Sequence, residues 1–435
     1  MHFNGQHFMV LGLAKSGVGA IQLLRSKGAK VTGVDSRNIS DLPIVQNLVD
    51  NSEILFSRDR EADLKGVDTL VISPGVPLSH SLTQAAMRRG IPVVGEIELA
   101  SEFLTGPILA ITGSNGKTTT TSLVGHILKS AGVPSQVGGN IGFAATDMIA
   151  TSNFLQWNVL ELSSFQLETI HRFHPQIAAV LNVTPNHLDR HGSIEEYAKA
   201  KGNIFRNQRS GDWAVLNASN AISNGYTTNA QIARFCGESA QVSANGIELF
   251  GKPLMPVSEV PLPGGHNLEN VMAAATLASL AGASHESIAA AVTTFKGVKH
   301  RLEFIREVRG IKFYNDSKAT SVDATLKALE ALPGPLWVIL GGLDKGGSYL
   351  PLAPQLKQKA KAALLIGSAA SIIEKELKDH THIDICGTLE TAIHSAVNQA
   401  QPGDTVLLAP ACASYDQFKS YEHRGDVFRQ LVEAI

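Results

Sequence analysis

An apolar run, ILAIT, breaks at residue 113 into Gly113-Ser114-Asn115-Gly116-Lys117-Thr118, and helical periodicity resumes behind it as far as residue 128. That pattern predicts a strand, a glycine loop and a helix in succession. Backbone N–H groups at a helix N-terminus, reinforced by the positive end of the helix dipole, make a ready site for an anion. In such a loop Lys117 reaches the terminal phosphates of a nucleotide and the Thr118 hydroxyl is suited to Mg²⁺. The spacing is not the common GxxxxGK[ST], because Ile111 stands five positions before Gly116 and the nearer glycine is Gly113. The motif is the shorter GxxGKT, and a chance glycine turn is its competing reading.

Further segments carry chemistry-bearing side chains at the same kind of place. Glu161 ends the apolar stretch of VLELSSFQLE, where burying a carboxylate is costly unless it is paired or metal-bound. His187 follows another apolar strand in LNVTPNHLDRHG, and a lone histidine there is ordinarily structural. Two such strand ends beside a phosphate loop point instead to metal and substrate binding. Tyr197-Ala-Lys-Ala-Lys201 lies on a helix predicted to begin near Ile194, where two lysines would ordinarily form a solvated face. In the last third, Asp316 and Lys318 (YNDSKATSVDAT), Lys345 (GGLDKGGSY) and Ser414 (LLAPACASYDQFKSYEHRG) each follow a predicted strand. Strand C-terminal ends are where α/β sheets bind ligands. Cys412 has no histidine base beside it and reads as structural.

The elements that must position these residues alternate. HFMVLGL, VTGVD and TLVIS predict strands, with SGVGAIQLLRSKG and SLTQAAMRRG as helices between them, and IKFYNDS, LWVILGG, AALLIGS and TVLLAP repeat the alternation after residue 300. Short apolar strands separated by helices predict parallel sheets covered on both faces. The first strand closes in Gly12-Leu-Ala-Lys-Ser-Gly17-Val-Gly19, which resembles a dinucleotide fold without its GxGxxG spacing; a tight strand–helix turn is the equal alternative. With 435 residues there is room for about three domains. The expected architecture is α/β, three domains in series: a Rossmann-like domain over 1–93, a central P-loop mononucleotide-binding domain over 94–299, and a Rossmann-like C-terminal domain over 300–435.

A net charge of −2 gives no general attraction to nucleic acid or anionic lipid, so any bound anion needs a local site. The apolar runs are far shorter than the ~20 residues of a membrane span. HFMVLGLA lacks a basic leader and runs into a glycine turn, so it reads as a first strand and not a signal peptide. Cys236, Cys386 and Cys412 have neither paired nor metal-ligand spacing, which points to a reducing cytoplasm.

In order along essentially the whole chain, TGSNGKTTT, GGNIG (with Asn140), LELSSFQLE, NVTPNHLDRHG, Tyr197 to Lys201, GGHNLEN, KHRLE, NDSKAT and APACASYDQFKSYEHRG resemble the Mur ligases. NDSKAT and ACASYDQF resemble the branch that adds D-glutamate. The resemblance implies a cytoplasmic, monomeric, ATP-dependent ligase joining D-glutamate to UDP-N-acetylmuramoyl-L-alanine through an acyl phosphate. Its setting would be peptidoglycan synthesis, and with it cell shape and division, with no nucleic-acid partner and no membrane insertion. The third domain is expected to close over the second.

Carried over by position, Gly113, Ser114, Asn115, Gly116, Lys117, Thr118 and Thr119 would cradle the phosphates, while Asn267, Asn270 and Arg301 contact the nucleotide and Asp316 points toward the ribose. Thr118 and Glu161 would take one Mg²⁺, and His187 and Lys201 would serve a second. A lysine ammonium beside a divalent cation is repelled, so the resemblance assigns Lys201 a CO₂-derived carbamate, with Lys199 the register-slip alternative. Asn140 and Ser163 would line the path of the muramoyl group; Lys15, Ser16, Ser36, Arg37 and Gly75 would hold the UDP portion, with Lys15 facing the pyrophosphate. Lys318, Thr320, Lys345, Ser414 and Tyr421 would meet D-glutamate. Asn186 departs from the acid that often precedes the family's histidine. The competing readings are a sister ligase for another amino acid, a nicotinamide-dependent oxidoreductase, which leaves TGSNGKTT unexplained, and a scaffold, which has no need of Glu161, His187 and Lys201 around a phosphate loop.

Overall fold

The strands predicted from apolar runs are buried on both faces, as parallel strands flanked by helices must be, except IKFYN, where Lys312 is exposed and Tyr314 half-buried. The computed structural model describes residues 3–37, 42, 45, 48, 53–56 and 60–435. Met1–Val260 with Leu268–Phe295 form one compact unit, and Pro261–Asn267 with Lys296–Ile435 a second. Three sheets run through them, two in the first unit and one in the second.

The first sheet holds β1 (His7–Leu11), β2 (Lys30–Asp35), β3 (Glu53–Phe56), β4 (Thr69–Ile72) and β5 (Val93–Gly95), all parallel, in the order β3-β2-β1-β4-β5. The order reverses at β1, so the turns after β1 and β4 flank a crevice of the kind that binds ligands. Gly17 has to be glycine: a Cβ there would lie 1.9 Å from the Gly12 carbonyl oxygen, so the helix Lys15–Ser26 can begin only one backbone's width from the preceding turn.

The central sheet runs through β6 (Ile108–Thr112), β7 (Ser135–Gly139), β8 (Trp157–Glu161), β9 (Ile177–Val180), β10 (Trp213–Asn217) and β11 (Gln231–Phe235). These are parallel in the order β11-β10-β9-β6-β8-β7. Three short strands, β12 (Ala240–Ser243), β13 (Gly246–Leu249) and β14 (Lys252–Met255), extend it beyond β11, with β13 antiparallel to both neighbours. Sequence periodicity does not announce β12–β14: AQVS, GIEL and KPLM carry exposed Gln, Lys and Pro and a half-buried Glu, and bury only scattered apolar residues.

In the second unit β15 (Glu303–Val308), β16 (Ile311–Asn315), β17 (Leu336–Gly341), β18 (Ala360–Ile366), β19 (Ile383–Gly387) and β20 (Thr405–Leu408) lie in the order β15-β16-β20-β17-β18-β19. All pairs are parallel except β15 with β16. Two apolar layers sandwich this sheet, one around Leu336, Leu340 and Leu407 and the other around Phe313, Ile339 and Phe428. Among the described residues no helix is long and apolar enough to cross a membrane.

Buried polar groups join the first sheet's layer to the central one. Glu98, on the helix Glu96–Ser101, is fully buried and accepts backbone N–H groups from His171 (2.9 Å), Arg172 (2.7 Å) and Phe173 (3.0 Å). Glu96, two residues earlier, accepts the Thr146 N–H at 2.8 Å, and burial pushes its carboxyl above the usual value. Replacing Glu98 by alanine would leave one buried and two partly buried N–H groups without their acceptor, at about 1–3 kcal/mol for each group shut off from water. Glu98→Ala is expected to lose roughly 3 kcal/mol or more of stability, read as a lowered urea midpoint; an unchanged midpoint would show that the carboxylate is dispensable.

Candidate active site

β6 lies where the central sheet changes direction, with β8 on one side and β9 on the other. The register pairs Ile111 with Glu161 and Thr112 with Val180, so the phosphate loop, the end of β8 and the segment after β9 emerge at one level. Gly116 caps the helix Lys117–Ser130 at φ 83°, and a Cβ there would lie 2.2 Å from Asn270 Oδ1. Only glycine allows this left-handed turn to pack against the asparagine. Asn270 Oδ1 also receives the Thr120 hydroxyl at 3.3 Å, so Asn270 backs the loop. The loop's other wall is the segment after β9. Ser114 N–H donates to Asn182 O (2.9 Å), Asn115 N–H donates to Asn182 Oδ1 (2.9 Å), and Ser114 Oγ lies 3.2 Å from the Tyr197 hydroxyl. Thr118 and Thr119 stand in the first turn of the helix.

Two cations converge on one loop carbonyl. Lys117 Nζ donates to Gly113 O at 2.8 Å and to Ser114 O at 3.1 Å. Lys201 Nζ also donates to Gly113 O at 2.8 Å. Lys201 is only 1% exposed, and its ammonium packs 4.5 Å from the centre of the Tyr197 ring, one helical turn earlier. Desolvation first, and the Lys117 charge second, hold the Lys201 amine well below its ordinary pKa. Lys199 points outward and pairs with Glu196 at 3.6 Å. The expectation of a solvated lysine face therefore holds for Lys199 and fails for Lys201, because the helix Ile194–Gly202 turns that position toward the loop.

Glu161 is buried beside them. Asn140 Nδ2 donates to its Oε1 at 2.7 Å and Asn140 N–H to its backbone oxygen at 2.8 Å, while Oε2 is enclosed with no hydrogen-bond partner. An orphaned carboxylate oxygen next to a threonine-bearing helix start suits a hard divalent cation with oxygen ligands. Among the described residues no three His, Cys, Asp or Glu side chains gather as a metal cluster. A cation here would therefore complete its shell with phosphate and water, as Mg²⁺ does.

His187 follows β9 in a left-handed conformation (φ 53°) and caps the short helix Leu188–His191, its ring 5.0 Å from that of Phe165. Ser163 caps the helix Ser164–Leu167 by accepting Gln166 N–H at 3.3 Å, and Gln166 Oε1 accepts Ser163 N–H in return. In the first sheet's layer Arg37 forms a two-point pair with buried Asp35, at 3.0 Å from each oxygen. Burial alone would raise the Asp35 carboxyl, but Arg37 and the Leu13 N–H hold it below the usual value. Ser36 precedes Arg37 and Ser16 lies in the first turn after the Gly12 loop. Gly75 follows β4, with open space where a Cβ would project. Lys15 Nζ donates to the Gly142 carbonyl, so its amine is engaged with the loop that follows Asn140.

In the second unit β20 lies between β16 and β17. Asp316 and Lys318 follow β16, Lys345 follows β17, and Ser414 follows β20. Leu343 and Ala413 exchange backbone hydrogen bonds (2.9 and 3.1 Å), which brings the exposed Lys345 loop beside buried Ser414. Lys318 Nζ lies 3.8 Å from the centre of the Tyr421 ring, and Thr320 N–H turns back to Lys318 O. Desolvation pushes the Asp316 carboxyl up to about 7, against the Leu302 N–H and the Arg301 charge. Asn267, in the same unit, donates to Pro263 O at 2.7 Å. Cys412 is buried against the Tyr349 hydroxyl (3.1 Å), in keeping with a structural role.

A buried arginine of this unit is not legible in the sequence. Arg424 is completely buried and donates to Ser317 Oγ (3.0 Å), Ser317 O (2.9 Å), Cys412 O (3.2 Å) and Ala413 O (3.4 Å), stapling the Asp316 loop to the Ser414 loop. Burial lowers its guanidinium to about 10 despite Cys412 and Asp416. Its segment, SYEHRG, was visible as a motif, but nothing in the string says that the arginine faces inward.

A shortened phosphate loop at the reversal point of a parallel sheet, with a buried acid and two lysines against it, defines a nucleotide-binding α/β protein. The Mur ligase middle domain matches residues 111–278, the Mur ligase, glutamate ligase domain matches 300–412, and the Mur ligase MurD-like, N-terminal domain matches 6–95. The UDP-N-acetylmuramoylalanine--D-glutamate ligase of Solibacter usitatus is 52% identical, spanning 100% of this chain and 99% of its own, and the protein of the same name from Koribacter versatilis is 46% identical over 100% and 99%. The solved UDP-N-acetylmuramate-alanine ligase of Thermotoga maritima covers 99% of both chains with a TM-score of 0.60 at 19% identity, a likeness of fold. The chain belongs to the Mur ligase family.

The native Asp316 carboxyl keeps its proton up to about pH 7, whereas the unfolded one loses it near 3.8. Between those values the native state binds the extra proton, so stability falls as pH rises through the window. Asp316→Asn is expected to flatten that fall between pH 4.5 and 7.5 in urea unfolding; an unaltered slope would contradict the buried-carboxyl reading.

Proposed function

We infer that this chain is an ATP-dependent amide ligase that adds D-glutamate to UDP-N-acetylmuramoyl-L-alanine, a cytoplasmic step of peptidoglycan precursor synthesis carried out by a monomer. The names of the full-length relatives and the glutamate ligase domain support the substrates. The observation that carries the chemistry is the convergence of Lys117 and Lys201 on Gly113 O beside the half-satisfied Glu161.

A carboxylate does not condense with an amine in water, because its carbon is a poor electrophile and hydroxide a poor leaving group. In the proposed sequence the alanyl carboxylate oxygen attacks the γ-phosphorus of ATP, the bond to the β-phosphate oxygen breaks, and ADP leaves. The D-glutamate nitrogen then attacks the acyl carbon, inorganic phosphate departs with the carbon–oxygen bond, and the amine gives up a proton to form the amide. The protein contributes position and charge. The loop from Gly113 to Thr119, apart from the Ser114 and Asn115 N–H groups already engaged by Asn182, and the Lys117 ammonium are assigned to the β- and γ-phosphates, and Asn270 holds the loop in shape. Thr118 and Glu161 are the residues that would hold Mg²⁺, which when bound neutralises phosphate charge. Asn140 fixes the Glu161 carboxylate through its 2.7 Å hydrogen bond, and His187 is assigned to the second metal site.

Lys201 is assigned a carbamate. Burial and the Lys117 charge favour the neutral, nucleophilic form of its amine; the nitrogen attacks CO₂, an N–C bond forms and a proton leaves. The product is an anion that relieves the clash with Lys117 and supports a cation. Ser163 and the first domain's Lys15, Ser16, Ser36, Arg37 and Gly75 are assigned to the UDP-muramoyl substrate, and Arg37 is pre-set by Asp35. Asn267, Arg301 and Asp316 are assigned to the nucleotide on the family resemblance. Lys345 is assigned to the side-chain carboxylate of D-glutamate, a charge-assisted contact, with Thr320, Ser414, Lys318 and Tyr421 around it.

Phosphate release by the purified protein with Mg-ATP and UDP-N-acetylmuramoyl-L-alanine is expected to require D-glutamate and to fall at least a hundredfold in Lys117→Ala, the order of one lost transition-state charge contact. Release with another amino acid in place of D-glutamate would keep the ligase and overturn the acceptor. No release with any of them would overturn the reading.

A further inference from the structure

The segment after His187 holds a side chain whose contacts no assigned role uses. Arg190 sits in the short helix Leu188–His191, and its side chain is 12% exposed. One terminal nitrogen donates to Pro74 O at 3.1 Å and the other to Val76 O at 3.0 Å. The second nitrogen also meets Glu168 Oε2 at 2.9 Å, and the guanidinium plane lies 4.3 Å from the centre of the Phe165 ring. The two carbonyls flank Gly75, whose Cα faces open space on the side where a Cβ would project.

The far side of the grip is equally fixed. Glu168 Oε1 lies 3.3 Å from His191 Nδ1, and His191 Nε2 lies 3.0 Å from Ser164 Oγ. Phe165 packs against the His187 ring at 5.0 Å and the His191 ring at 5.5 Å. One planar cation thus links the turn after β4 to the wall that carries His187. A fork of this shape can serve two carbonyls and a carboxylate at once, and the compact ammonium of lysine cannot reproduce it.

We propose that Arg190 is a positioning residue for the UDP-muramoyl substrate: it holds the Pro74–Val76 turn at a set distance from the His187 wall, so that substrate seated on Gly75 presents its carboxylate to the phosphate loop. The proposal rests on the ligase reading and on the assignment of Gly75 to that substrate. ATP and D-glutamate take no part in this contact, and their apparent affinities do not depend on it.

The test is steady-state kinetics of the full chain, wild type against Arg190→Lys, with KM measured for each of the three substrates. Arg190→Lys is expected to raise KM for UDP-N-acetylmuramoyl-L-alanine about tenfold and to lower kcat two- to fivefold, with KM for ATP and for D-glutamate unchanged. Glu168→Gln, which keeps the shape but weakens the anchor, is expected to move the same KM by a smaller factor, and the double variant to be no worse than Arg190→Lys alone. An unchanged KM for the UDP substrate in a folded Arg190→Lys would overturn the proposal. So would a parallel rise in all three KM values with a lowered unfolding midpoint, which marks a merely structural cation. A wild type that turns over as described while Arg190→Lys matches it would sink this inference alone; a wild type without turnover would sink the ligase reading and this inference together.

Discussion

Everything around the phosphate loop is arranged about one oxygen atom. The Gly113 carbonyl accepts both the Lys117 and the Lys201 side-chain nitrogens at 2.8 Å, and Lys201 has no solvent to dilute its charge. Two ammonium groups each 2.8 Å from one oxygen lie no farther apart than twice that distance, and at an effective dielectric near 20 they repel by about 3 kcal/mol. A fold that tolerates this has a compensating anion in its working state, or keeps one amine neutral. The lowered Lys201 pKa expresses the second route, and a carbamate on the same nitrogen would supply the first. The orphaned Oε2 of Glu161 is the complementary imbalance, a buried anion short of a partner. Nucleotide, cation and modified lysine would resolve both at once.

The sheets supply the precision this needs. In the first two the strand order reverses at one strand, β1 and β6, and in the third the last strand, β20, inserts between β16 and β17. In each, several of the residues assigned to ligands leave from C-terminal strand ends, as open α/β sheets favour. Rigid strands set the level through their register, as with Ile111 opposite Glu161, and single buried side chains then fix the loops. Asn140 aims one carboxylate, Asn270 backs the glycine loop, and Arg424 staples two turns of the last sheet.

Local features of this plan were legible in the string. TGSNGKT declares itself because strand, turn and helix are contiguous, and Glu161 and His187 stand out because polar side chains end apolar runs. Lys201 could be singled out from Lys199 only by family likeness; the structure adds the physical reason, since helical periodicity turns one inward and leaves the other in water. The glycine loop after β1 reads equally as a nucleotide loop or a tight turn, and the 1.9 Å approach at Gly17 shows the turn's steric demand. Tertiary facts left no trace. Arg424, Glu98 and Arg190 look like surface charges in the sequence, and only partners more than ten, seventy and a hundred positions away make them interior. The strands β12–β14 were invisible for the opposite reason, having too little apolar surface to register.

In the proposed ligase the Lys201 nitrogen would carry an anion-forming group that offsets Lys117. The most direct measurement is ¹³C NMR of the protein equilibrated with ¹³C-bicarbonate, comparing wild type with Lys201→Ala and Lys199→Ala. A carbamate carbon resonance in the wild type, retained in Lys199→Ala and absent from Lys201→Ala, is the predicted result. An active wild type with no such resonance, or a resonance that survives Lys201→Ala, would contradict it.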